Sequence, residues 1–153
     1  MKNYMKLALK EAAVAASEDE VPVGAVVVKD DEVISIGHNM TRQTHDPTAH
    51  AEIVAIRKAA VKLGSSRLVG CKIYVTLEPC SMCIGALVQA RISELIIGAD
   101  DPKSGACGTA INLVNSNAFN HKIDVFRDDS LPECGDILKK FFKAKRWKRR
   151  NIE

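Results

Sequence analysis

The chain has 153 residues, 46% of them hydrophobic and 27% charged, with a mean hydropathy near zero. This suits one globular domain, 1–153, with a real core, and no apolar run is long enough to span a bilayer, so no membrane partner is expected. The net charge of +3 hides an asymmetry: residues 139–150, KKFFKAKRWKRR, hold eight basic residues and no acid, so the remaining 14 basic and 19 acidic residues leave the rest of the chain at −5.

Residues 3–17 place Met5, Ala8, Leu9, Ala12, Ala13 and Ala16 at helical spacing, which predicts a helix with one apolar stripe. Glu11, Glu18, Asp19 and Glu20 interrupt the first twenty residues, MKNYMKLALKEAAVAASEDE, so they read as a helix of the domain and not as a signal peptide, and the cytoplasm is the expected location. VGAVVVK and EVISIGH flank Lys29-Asp30-Asp31 and predict a hairpin. A polar loop, NMTRQTHDP, leads to a second helix expected over about 47–63, with Asp46 as its N-cap and Pro47 in the first position. Residues 71–77 predict a strand, and a third helix is expected from Pro79 to about Arg91. SELIIGA predicts another strand. The loop ADDPKSGACG and the apolar stretch TAINLV follow it, then a last strand in HKIDVFR and a last helix over 131–149. Phe141 and Phe142 are expected to pack in the core. Strands alternating with helices imply a central sheet covered on both faces, with ligands bound at strand ends where helices begin.

Five cysteines, an odd number without an export signal, argue against a disulfide framework and leave metal binding, redox chemistry or burial. Cys80 and Cys83 stand in P-C-S-M-C at a predicted helix start, where two thiols three apart share a face. Taken alone, the motif serves equally as a redox pair, half of a structural zinc site, or part of a catalytic one. Cys71, Cys107 and Cys134 lack the spacing for a second half, and read as ordinary buried or loop thiols. His50 supplies a different partner, 30 residues before Cys80 and also at a predicted helix start. If both helices begin at one edge of the sheet, His50, Cys80 and Cys83 converge and leave a fourth tetrahedral position open, the arrangement of a catalytic zinc. Glu52, two residues after His50, is then placed beside the metal's water as a proton shuttle without being a ligand itself. The basic tail, with its interleaved aromatics, either binds a polyanion, nucleic acid foremost, or is a solvated helix face.

H-A-E followed by P-C-x-x-C is the signature of the zinc-dependent nucleobase deaminases. EVPVGAVVV (20–28), GHN (37–39), DPTAHAE (46–52), YVTLEPCSMCIGA (74–86), ARI (90–92) and GADDPKSGACG (98–108) extend the match over nearly the whole chain. On these segments the chain resembles the bacterial tRNA-specific adenosine deaminases, of the cytidine/deoxycytidylate deaminase superfamily. The first twenty residues and the last few match only in type. The resemblance implies a cytidine-deaminase-like three-layer α/β/α sandwich around a mixed five-stranded sheet. It implies a homodimer with one zinc per subunit, and hydrolytic deamination of adenosine to inosine at the wobble position of arginine tRNA. In that reading His50, Cys80 and Cys83 hold zinc, Glu52 shuttles protons and Asn39 contacts the base. Asp101, Pro102, Lys103 and Ser104 border the RNA near the target ribose, and Lys145, Arg146, Arg149 and Arg150 meet phosphates. Two rivals share the motif: a deaminase of free guanine or cytosine, and a non-catalytic RNA-binding subunit with a structural zinc. The basic tail speaks against the first and Glu52 against the second.

Overall fold

The computed structural model describes residues 2–114 and 116–151. Helix α1 spans Tyr4–Ser17 and starts where the Asn3 side chain accepts the Lys6 N–H at 3.0 Å. Strands β1 (Gly24–Lys29) and β2 (Glu32–His38) form the expected hairpin, and Asp30 and Asp31 turn it in the left-handed region. A four-residue helix, α2 (Thr41–Thr44), precedes α3 (Ala51–Leu63). Then come β3 (Lys72–Val75), α4 (Ser81–Gln89), β4 (Glu94–Ile97), β5 (Asp124–Arg127) and α5 (Glu133–Asn151).

The sheet order is β2-β1-β3-β4-β5. Strand β1 is antiparallel to both of its neighbours, and β3, β4 and β5 are parallel. Alternation along β1 sorts two cores. Ala25 and Val27 face a large core built with α3 and α4, whereas Val26 and Val28 face a smaller one with Met5, Ala8, Leu131 and Cys134 of the α1–α5 layer. The result is the expected sandwich of helices, mixed sheet and helices. Because β1 runs antiparallel to both neighbours, β2 and β3 point the same way. Their C-terminal ends lie at one edge, beside Gly24 and Ala25, and the helices that follow them start there.

Close approach fixes where α1 lies. A Cβ on Gly24 would fall inside contact distance of the Ala8 carbonyl oxygen and 2.7 Å from the Ala12 nitrogen, both backbone atoms that cannot rotate away. Gly24→Ala is therefore expected to push α1 off the sheet and destabilise by about 1–3 kcal/mol, read as a fall of several degrees in the thermal midpoint.

One helix start differs from the expectation. Asp46 caps no long helix: its carboxylate accepts the N–H and hydroxyl of Thr48, closing a local turn. Helix α3 begins only at Ala51, with His50 as its extended N-cap. Phe142 is also not core: it is 43% exposed.

Candidate active site

The two helices that start at the shared sheet edge are capped by unusual residues. His50 (φ −69°, ψ 158°) precedes α3 and Cys80 (φ −76°, ψ 175°) precedes α4, and neither side chain makes a capping hydrogen bond. Ser, Thr, Asp or Asn would normally stand there to satisfy the orphan N–H groups. Here the side chains turn away from the helix and the positive helix ends face the site. Cys83, in the first turn of α4, and Glu52, in the first turn of α3, complete the group. Two residues apart within a helix, His50 and Glu52 would diverge. They serve one site because His50 lies outside the helix, in extended conformation.

The His50 Nδ1 lies 3.6 Å from the Cys80 Sγ and 3.5 Å from the Cys83 Sγ, and the three donor atoms are all within 4.8 Å of one another. Zinc bonded tetrahedrally to sulfur at about 2.3 Å and to nitrogen at about 2.05 Å separates those atoms by about 3.6 Å, so the donor set fits the metal. The charges fit it as well. The Cys83 thiol hydrogen-bonds Cys80 and, with His50, pulls the Cys80 thiol down to about 4, while Cys83 itself is pushed well above the ordinary thiol range. His50 is raised, chiefly by its bond to Cys80. A thiolate at two helix N-termini is a cation ligand. Glu52, 4% exposed, is lifted by burial to about 7, which keeps a proton within easy exchange.

His50, Glu52 and Cys80 open onto a cavity of about 270 Å³ lined also by Val21, Val23, Asn39, Thr41, Leu77, Asp101 and Ser104. Asn39 follows β2 directly and is nearly buried; its backbone N–H is held by the Val23 carbonyl. Asp101 accepts the N–H groups of Lys103 and Ser104, so its carboxylate shapes the loop as well as facing the cavity, while Pro102 and Lys103 lie on the surface. A second cavity of about 500 Å³ adjoins the first, sharing Val21, Leu77, Asp101 and Ser104, and is closed on the far side by Lys139, Phe142 and Arg146 of α5. Arg149 and Arg150 are exposed one turn further on. Lys145 stands apart: it pairs with Asp19 and lies 5.5 Å over the Phe141 ring.

Two residues of the site escape a sequence reading. Glu20 and Glu78 are carboxylates with no meaningful exposure, 0% and 1%. Glu20 accepts the backbone N–H groups of Arg42 and Gln43, holding the segment after Asn39. Glu78 accepts those of Asp101, Cys107 and Thr109 on the opposite wall. Glu78 leaves one signal in the sequence, a carboxylate between Leu77 and Pro79, whereas Glu20 only closes the acidic run E-D-E.

Residues 1–146 match the MafB19-like deaminase family. The chain is 44% identical over 147 residues to the tRNA-specific adenosine deaminase of Bacillus subtilis strain 168, covering 96% of this chain and 91% of that one. It is 46% identical over 144 residues to the tRNA-specific adenosine deaminase of Agrobacterium fabrum strain C58, covering 94% and 95%. Among solved structures, one from studies of A-to-I editing by tRNA:A34 deaminases at the wobble position of transfer RNA superposes with a TM-score of 0.86. It shares 47% identity, over 88% of this chain and 98% of that one. The guanine deaminase of Bacillus subtilis superposes with a TM-score of 0.64 at 30% identity, over 95% and 94%.

Proposed function

Because the chain belongs to the tRNA-specific adenosine deaminases, within the MafB19-like deaminase family, we propose that it converts adenosine to inosine at wobble position 34 of a tRNA anticodon, that of arginine tRNA first. The observation that carries this reading is the convergence of His50, Cys80 and Cys83 beside a buried Glu52, at the floor of a cavity that Asn39 lines. His50, Cys80 and Cys83 would hold zinc, which when bound would lower the pKa of water toward neutrality and so supply the nucleophile.

The remaining steps fall to the chain's own residues. The target base enters from a splayed anticodon loop, so little unstacking is needed. Asn39 offers both a donor and an acceptor to the edge of the purine. Glu52 takes the proton released as water adds at C6 and delivers it to N1. It then carries the hydroxyl proton to N6, which leaves as ammonia, so one water is consumed for each inosine formed. Glu52 works in a pocket walled by Val21, Val23 and Leu77, whose apolar side chains limit competition from bulk water.

The second cavity supports an RNA substrate over a free base, because a lone nucleobase leaves it unfilled. Arg146 borders it and Arg149 and Arg150 extend its charge along α5. Replacing these three arginines by alanine is expected to flatten the salt dependence of stem-loop binding by about 2 in log–log slope, at about 0.7 per lost phosphate contact. Fluorescence anisotropy between low and moderate salt checks this. The working unit is a cytoplasmic homodimer. An apolar groove between Ile56, Ala60, Leu68 and Ala90 on the α3–α4 face offers a seat for the second copy.

The deciding experiment gives purified protein an anticodon stem-loop of arginine tRNA with adenosine at the wobble position, alongside free adenosine, guanine and cytosine. Inosine at that position is the expected product. Ammonia from a free base alone would replace the tRNA assignment by free-base deamination.

A further inference from the structure

The Glu78 carboxylate is the most completely bonded side chain near the cavity, and the chemistry described above makes no use of it. It lies 1% exposed between Leu77 and Pro79, two residues before the first cysteine of the metal group. One oxygen accepts the Asp101 N–H at 3.3 Å and the Thr109 hydroxyl. The other accepts the Cys107 N–H at 2.9 Å and the Thr109 N–H at 3.3 Å. The adjoining backbone adds two bonds to the same loop: Glu78 N–H to the Ala99 carbonyl at 2.8 Å, and Ala106 N–H to the Pro79 carbonyl at 2.9 Å.

The fit is tight on the loop side. A Cβ on Gly105 would collide with the Glu78 carboxylate, so glycine is what lets the loop close over it. Arg127 locks the arrangement from outside: its guanidinium donates to the Cys107 carbonyl at 3.0 Å and to Asp100 at 2.8 Å, and stands 3.6 Å from Glu78. A buried carboxylate demands such partners, because leaving it or its donors unpaired is costly.

We propose that Glu78 is a positioning residue for RNA engagement: it latches the 100–109 loop to the start of the metal-binding helix, so that Asp101 and Ser104 are held at the junction of the two cavities. The proposal rests on the RNA reading of the preceding subsection. It assigns Glu78 to substrate binding rather than to proton transfer or metal retention. Glu78→Gln keeps the volume but sets an NH₂ against a backbone donor in either orientation, because both oxygens accept from N–H groups.

The test measures kcat and KM on the anticodon stem-loop, zinc content and amide hydrogen exchange for wild type, Glu78→Gln, Gly105→Ala and Arg127→Met. The expected result for Glu78→Gln is full zinc, KM raised about 10-fold or more with kcat within about 3-fold, and faster exchange confined to residues 101–109. Gly105→Ala is expected to raise KM similarly by forcing the loop off the carboxylate, and Arg127→Met to a smaller degree. Loss of zinc, a fall in kcat at unchanged KM, or unchanged kinetics would overturn the proposal. If Glu78→Gln does not fold, the other two variants decide by the same criterion; Arg127 is 42% exposed and its replacement leaves the core intact. Wild-type protein that makes no wobble inosine would overturn the RNA reading itself, before any variant is compared.

Discussion

Glu52→Ala is expected to keep its zinc and lose at least about 10³-fold in turnover of the wobble adenosine, the usual range for removing a general acid–base group. The two parts of this expectation have separate causes. The three atoms that converge as a metal group belong to His50, Cys80 and Cys83, and the Glu52 carboxylate is not one of them. The proton path, in contrast, has no other buried carboxylate to turn to among the described residues: Glu20 and Glu78 are occupied by backbone N–H groups. Metal analysis and single-turnover kinetics on the same preparation separate the two. A variant that lost zinc with activity would mean that Glu52 is a ligand, and the division of roles between it and His50 would fall.

Cys83→Ala is expected to lose the metal, all measurable deamination and a large share of thermal stability. The thiol is fully buried in the first turn of α4, so no surface residue can swing in to replace it. Zinc present at about a thousand times its dissociation constant contributes about 4 kcal/mol to the folded state, which for a domain of this size is on the order of 10 °C in midpoint. Scanning calorimetry with and without a strong chelator checks it. The wild type should fall by that amount and Cys83→Ala should not respond. A wild-type midpoint indifferent to chelation would show that the ion contributes nothing to the fold.

Periodicity made much of this architecture legible. The β-branched runs VGAVVVK and EVISIGH, the Asp30-Asp31 turn and the Ala-rich stripe of the first helix each have a local cause, and each is found where expected. The metal group was legible for a related reason: spacing within P-C-S-M-C is local, and only the pairing with His50 needed a topological argument. The start of α3 was misread because Asp46-Pro47 is a good helix opening in isolation. In the structure a stronger local demand wins, since Asp46 closes a turn on Thr48 and His50 must stay extended to reach the cysteines. Phe142 was misplaced because helical spacing does not distinguish a core stripe from the wall of a cavity. Glu20 and Glu78 were invisible because their partners are backbone groups 22 to 31 residues away, and backbone leaves no trace in composition or pattern.

That last arrangement bears on how such a site can change over time. The loop over Glu78 is gripped largely at its amides, so its shape is largely indifferent to the side chains at 102, 103 and 104, whereas Gly105 and the buried Ala106 and Cys107 are constrained by space. Surface positions on that loop can therefore drift, or be randomised in a library, without unseating the wall they stand on. A scaffold built this way separates the residues that hold a recognition loop from those that read the ligand. New substrate preferences then become accessible through substitutions that cost the fold little.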